Sequence, residues 1–93
     1  MTNDEIVHYW IKSAEYDFAT MNRNFSSGEY VWALFIGHLV IEKLLKACCA
    51  RTTGNEVPRN HNLLFLAEMA GIELNENQKE ALNTPRALSL IHI

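Results

Sequence analysis

Ninety-three residues, 48% of them apolar and 20% charged, make a single globular domain with room for one small core and none for a catalytic domain plus a lid. The net charge of −3 excludes bulk electrostatic capture of nucleic acid, which draws its affinity from clustered Lys and Arg. The longest apolar run, Tyr30 to Val40, falls short of the roughly 20 clean residues a membrane span needs, and the acidic opening Thr2-Asn3-Asp4-Glu5 lacks the charged and apolar regions of a signal peptide, so a cytoplasmic protein without a membrane role is expected.

Thr2 with Glu5 three residues later forms a capping box, and Ile6, Trp10, Ala14, Asp17, Phe18, Met21 and Phe25 follow at helical spacing, which predicts a first helix from about Asn3 to Asn24. Ser26-Ser27-Gly28 is a short turn in which Ser27 or Gly28 can start the next helix, so the first two helices should form an antiparallel hairpin. The second helix, about Glu29 to Arg51, is apolar almost all round and carries His38, Glu42 and Lys46 at intervals of four. At about 100° per residue these three form one polar line along an otherwise apolar rod.

The stretch Thr52 to Asn60 reads as a loop, with Gly54 suited to a helix C-terminus and Pro58 keeping Val57 out of helical geometry. Asn60 or Asn62 can cap a short helix from Leu63 to Met69 that ends at Gly71, and Asn75 with Gln78 makes a second capping box for a fourth helix reaching about Leu82. No run alternates with a period of two, so the fold is expected to be all-α, an antiparallel bundle of four to five up-and-down helices with an abbreviated C-terminal helix. Residues 1–84 would form the bundle. Residues 85–93, which open on Pro85 and finish on bare apolar side chains, would be an atypical tail.

A core this small rarely yields more than about 3–5 kcal/mol, which makes self-association the expected supplement. Seven of the nine aromatics, Tyr9, Trp10, Tyr16, Phe18, Phe25, Trp32 and Phe35, fit helical core spacing better than a base-stacking platform, because no basic groove accompanies them; Trp32 is a candidate for a dimer seam. Adjacent Cys48 and Cys49 suit packing, not a disulfide or a metal site. No four-ligand metal set or glycine-rich phosphate loop occurs, and no cofactor is expected.

With the helices placed, the chain resembles a HEPN domain. The likeness rests on Trp10, Ala14 and Asp17, on Ser27-Gly28-Glu29-Tyr30 with Ala33, and on the distinctive block from His38 through Ile41-Glu42-Lys43-Leu44-Leu45-Lys46 to Ala47. Pro58, His61, Leu63 and Leu66 complete a match over about Glu5 to Asn83. The resemblance implies a helical bundle, commonly a homodimer, often encoded beside a minimal nucleotidyltransferase as half of a toxin–antitoxin pair. Some branches are metal-independent endoribonucleases with an Arg and a His four to six residues apart. Others, with a His-x-x-x-Glu-Lys block like this chain, bind nucleotides or partner proteins instead. Where family members continue into a further helix, this chain reads Pro85-Arg86-Ala87 and soon stops.

Two sets of candidate residues emerge. Arg86 and His92 have the ribonuclease spacing, His to move a proton and Arg to hold a phosphate, but with four arginines and four histidines in the chain such a gap arises by chance in roughly half of comparable sequences. His38, Glu42 and Lys46 form the stronger set, joined by Asp17 within the apolar stripe of the first helix and by His61 after Pro58. They read first as a structural relay that ties the second helix to Asp17 or Tyr16, or to a second copy, and alternatively as a nucleotide or RNA pocket with Lys46 as its cation. A structural dimerisation adaptor without a ligand is the third reading. His8 is expected to be solvated.

Overall fold

The computed structural model describes residues 2–54 and 57–83, and within them the chain is helical: α1 Asn3–Ser26, α2 Tyr30–Thr53, α3 Leu63–Met69 and α4 Glu76–Asn83. No strand occurs among the described residues, so the expected all-α class holds. Helices α1, α3 and α4 begin where a side chain takes up orphan backbone donors. Thr2 accepts from the Glu5 N–H while Glu5 accepts from the Thr2 N–H, both at 3.2 Å. Asn62 accepts from Phe65 N–H at 2.9 Å, and Asn75 and Gln78 exchange bonds of 2.8 and 3.0 Å at the head of α4.

The Thr2 N–H holds the Glu5 carboxyl below the ordinary carboxylate value. A depressed folded pKa contributes stability above the unfolded pKa and loses it as pH falls through the folded one, so the box should weaken only in acid. Thr2→Ala is expected to cost about 1 kcal/mol at neutral pH, read from the urea midpoint, with the difference from wild type shrinking below the carboxylate range.

The turn after α1 departs from the sequence reading. Ser27 does not start α2: its N–H bonds Arg23 O, and its hydroxyl donates to Asn24 O, so it closes α1 two residues later than the spacing suggested. Gly28, with φ +86°, reverses the chain, and Glu29 takes the N-cap position of α2 without a side-chain cap bond. At the opposite end Asn3 Nδ2 donates to Ala50 O and Gly54 O, both at 2.6 Å, so the start of α1 caps the end of α2 and fixes the antiparallel hairpin.

Helix α3 lies against α2, and α4 against α3; no other helix pair beyond the α1–α2 hairpin packs among the described residues. The core therefore gathers around the C-terminal half of α2. On one side Leu45 and Cys49 meet Leu63, Leu66, Ala67 and Ala70 of α3, with Leu74 beside them. On the other, Ala47 and Ala50 meet Val7, with Ile6, Trp10, Ile11 and Val57 partly buried at the rim. Cys49 is fully buried, its thiol donating to Leu66 O at 3.3 Å, and burial pushes the thiol pKa up; Cys48 is exposed and free. Packing is thus the part Cys49 plays, while Cys48, expected to pack as well, faces outward.

The aromatic side chains correct the sequence reading. Of the seven assigned to the core, Tyr9, Tyr16, Phe18, Phe25 and Trp32 are exposed, and only Trp10 and Phe35 are half-buried. A helix that is apolar all round needs neighbours on every side. In its N-terminal half α2 has α1 alone, because α3 covers only the second half. Helical spacing reports an apolar face but not what covers it. None of the described helices is long and apolar enough to cross a membrane.

Candidate functional site

The polar line on α2 does converge, and Glu42 is its centre. The residue is 5% exposed, and its carboxylate Oε2 receives Lys46 Nζ at 3.2 Å from one turn further along α2 and His61 Nδ1 at 2.8 Å from the loop that leads into α3. His38 Nε2 stands 3.9 Å from Oε1, one turn earlier, too far for a hydrogen bond but close enough to face the charge. Lys46 is also nearly buried, and its ammonium lies 5.2 Å from the centre of the Trp10 ring, within cation–π range.

The arrangement follows from the local chain. Positions i and i+4 on a helix stack, so His38, Glu42 and Lys46 must be neighbours once α2 forms. Asn60 Oδ1 accepts the Asn62 N–H at 2.8 Å and Asn62 caps α3, a pair of bonds that holds the loop with His61 between them. Docking α3 on Leu45 and Cys49 then brings His61 over Glu42.

Charge within the cluster is balanced internally. One carboxylate and one ammonium are taken out of water together, a state that persists because each neutralises the other. Lys46 is therefore committed to Glu42 and Trp10 and has little to offer an incoming phosphate. His61 is the outward-facing member, with a side chain 80% exposed although its Nδ1 is anchored. A carboxylate only accepts, so Nδ1 carries the proton and Nε2 is left facing outward.

Asp17 is not part of this cluster, which corrects the expectation that it or Tyr16 would meet the polar line. Its Oδ2 is buried, lacks an aligned hydrogen bond, and sits 2.6 Å from Lys43 Nζ. Tyr16 is exposed. Lys43 follows Glu42 by one residue and is rotated about 100° round the helix, so it faces α1 while Glu42 faces the α3 side. Sequence reasoning missed Lys43 and Trp10 as partners. The signal for Lys43 was an acid alone in the apolar stripe of α1, which needed a cation from the neighbouring helix.

His8 is exposed, as expected. Arg86 and His92 lie outside the described residues, as does the tail at 85–93. Among the described residues no three His, Cys, Asp or Glu side chains gather as metal ligands. A shallow apolar groove of about 350 Å³ runs between α1 and α2, lined by Ala14, Phe18, Ala19, Val40 and Leu44 with Glu15 and Asn22 at its edge, away from the Glu42 cluster.

The family model for the HEPN domain matches residues 7–92, a span that includes both the Glu42 cluster and the positions of Arg86 and His92. No curated protein and no solved structure matches the chain.

Proposed function

This chain belongs to the HEPN domain family, and from that premise we propose that it is a nucleotide- or RNA-interacting module whose ligand meets the outward edge of His61, with Glu42, Lys46 and His38 as the buried support behind it. The observation that carries this reading is an exposed imidazole whose inner nitrogen is held 2.8 Å from a buried carboxylate. Such a ring is fixed in tautomer and direction, and offers a flat face for a base and one nitrogen for a polar group. Asp17, engaged by Lys43, drops out of the ligand set.

The partner assigned to the module is a minimal nucleotidyltransferase, and the pair a two-gene toxin–antitoxin system in the cytoplasm. This rests on the resemblance of the block from His38 to Ala47. The module is further assigned as a homodimer. The rival endoribonuclease reading rests on the spacing of Arg86 and His92 alone, and incubation with structured RNA plus a chelator tests it against a His92→Ala control.

Trp10, in contact with Lys46, is a reporter of the cluster. In a Trp32→Phe background it is the sole tryptophan, and its fluorescence should change saturably as a mononucleotide or a short RNA is added below millimolar concentration. His61→Ala should weaken that binding about tenfold, the loss of one well-placed polar contact. A flat response to both probes would leave the ligand-free adaptor as the better description.

A further inference from the structure

Of the two exposed histidines among the described residues, His8 and His61, only His61 has a ring nitrogen tied to a buried group. With the proton on Nδ1, the lone pair of Nε2 points away from Glu42, on a side chain 80% exposed. We infer that His61 is a phosphoryl-acceptor site, its Nε2 taking the phosphoryl group of a small N-phosphoryl donor and Glu42 balancing the charge that the ring then acquires.

Attack by Nε2 turns a neutral ring into a cation. The Nε2 lone pair forms the new N–P bond and the donor's own P–N bond breaks. Its electron pair leaves on the donor nitrogen, which was protonated beforehand and departs as a neutral amine; nothing is oxidised or reduced. Nδ1 keeps its proton, so the phosphorylated ring is an imidazolium whose Nδ1 stands 2.8 Å from Glu42 Oε2. A carboxylate so placed stabilises that cation as it forms, the part a buried acid plays behind the reacting histidine of a catalytic triad. His8 has no such partner among the described residues.

Two further features suit an anionic donor. Lys46 Nζ sits 3.2 Å from the same Glu42 oxygen. From a distance the pair is therefore nearly neutral and does not repel a phosphate, while at contact range the carboxylate still faces the ring. In a chain of net charge −3, moreover, the stretch from Val57 to Ala67 around His61 has one exposed cation, Arg59, and no acid. Exposure decides between nucleophile and general base. A base must hold a substrate's proton within reach inside a site, whereas an acceptor must be open to a donor that comes to it. Exchange of one P–N bond for another is nearly balanced in energy, so an open ring needs no further machinery for it.

The inference goes beyond the nucleotide reading and shares with it only the contact of His61 with Glu42. In the test, the full chain is incubated with potassium phosphoramidate at neutral pH. Each histidine is followed by mass and by proton–nitrogen correlation spectra of the rings, which tell phosphorylation at Nε2 from that at Nδ1. His61 should react, at Nε2, about tenfold faster than His8 in the same molecule. Glu42→Gln keeps an acceptor for Nδ1 but not the charge, and should slow His61 about threefold or more while the His8 rate and the helical circular dichroism are unchanged. Equal rates at His61 and His8, or phosphorus on Nδ1 of His61, overturn the proposal, and wild type alone decides both. A folded Glu42→Gln that reacts at the wild-type rate overturns the part given to Glu42. Phosphoramidate carries no base and the nucleotide titration is read from Trp10, so each reading can fail while the other stands.

Discussion

Glu42→Ala should cost about 3–5 kcal/mol, because it leaves the Lys46 ammonium buried without its counter-charge. Each partner's share can be argued from exposure. His61 is mostly solvated and regains water when Glu42 is lost, so its bond contributes only about 0.5–1.5 kcal/mol. His38, at 3.9 Å, contributes less. Lys46, 7% exposed and beneath Trp10, carries the rest. Its long stem can carry the charge partway toward water, which places the expected cost at the lower end of the range.

Two companion variants separate charge from packing. Glu42→Gln keeps an acceptor for His61 but not the charge for Lys46, and should fall between wild type and Glu42→Ala. The double change Glu42→Leu with Lys46→Met removes both charges and should lie near wild type, since a buried pair replaced by apolar groups of similar size is often neutral. Urea midpoints at one fixed protein concentration give all three values. A loss below about half a kcal/mol for Glu42→Ala would mean that the carboxylate is a solvated surface group.

What the sequence disclosed was what the helical period and the capping chemistry determine between them. The starts of α1, α3 and α4 were legible because Thr2, Asn62 and Asn75 each satisfy backbone donors within three residues, a purely local matter. The His38–Glu42–Lys46 line was legible for the same reason. The partners across the fold were not. Asp17 with Lys43 and Glu42 with His61 depend on how α1 and α3 are rotated against α2, and nothing within one helix encodes that. The aromatic residues failed differently. Phe18, Phe25 and Trp32 have core spacing and are nonetheless exposed, because the helical period marks an apolar stripe without marking which part of it a neighbouring helix covers.

Leu66→Ala should be the other large loss, about 2–5 kcal/mol, and it should reach the functional cluster. Leu66 is fully buried among Leu45, Cys49, Leu63, Ala67 and Ala70, and two of these five neighbours are alanines, too small to close over a missing isobutyl group. Helix α3 is seven residues long, far below the length at which a helix stands alone, so its helicity depends on that docking. When the docking weakens, the loop before α3 loses its anchor. His61 leaves Glu42, and the Cys49 thiol loses its acceptor at Leu66 O. Amide exchange across residues 63–70 should therefore rise along with the drop in urea midpoint, and the ring signals of His61 should move toward those of a free imidazole, while the α1–α2 hairpin retains its protection. Loss of protection in both hairpin helices at the same rate as α3 would mean that the bundle opens as one unit. The Glu42 cluster would then be as stable as the whole fold, and no local opening of α3 could release His61 on its own.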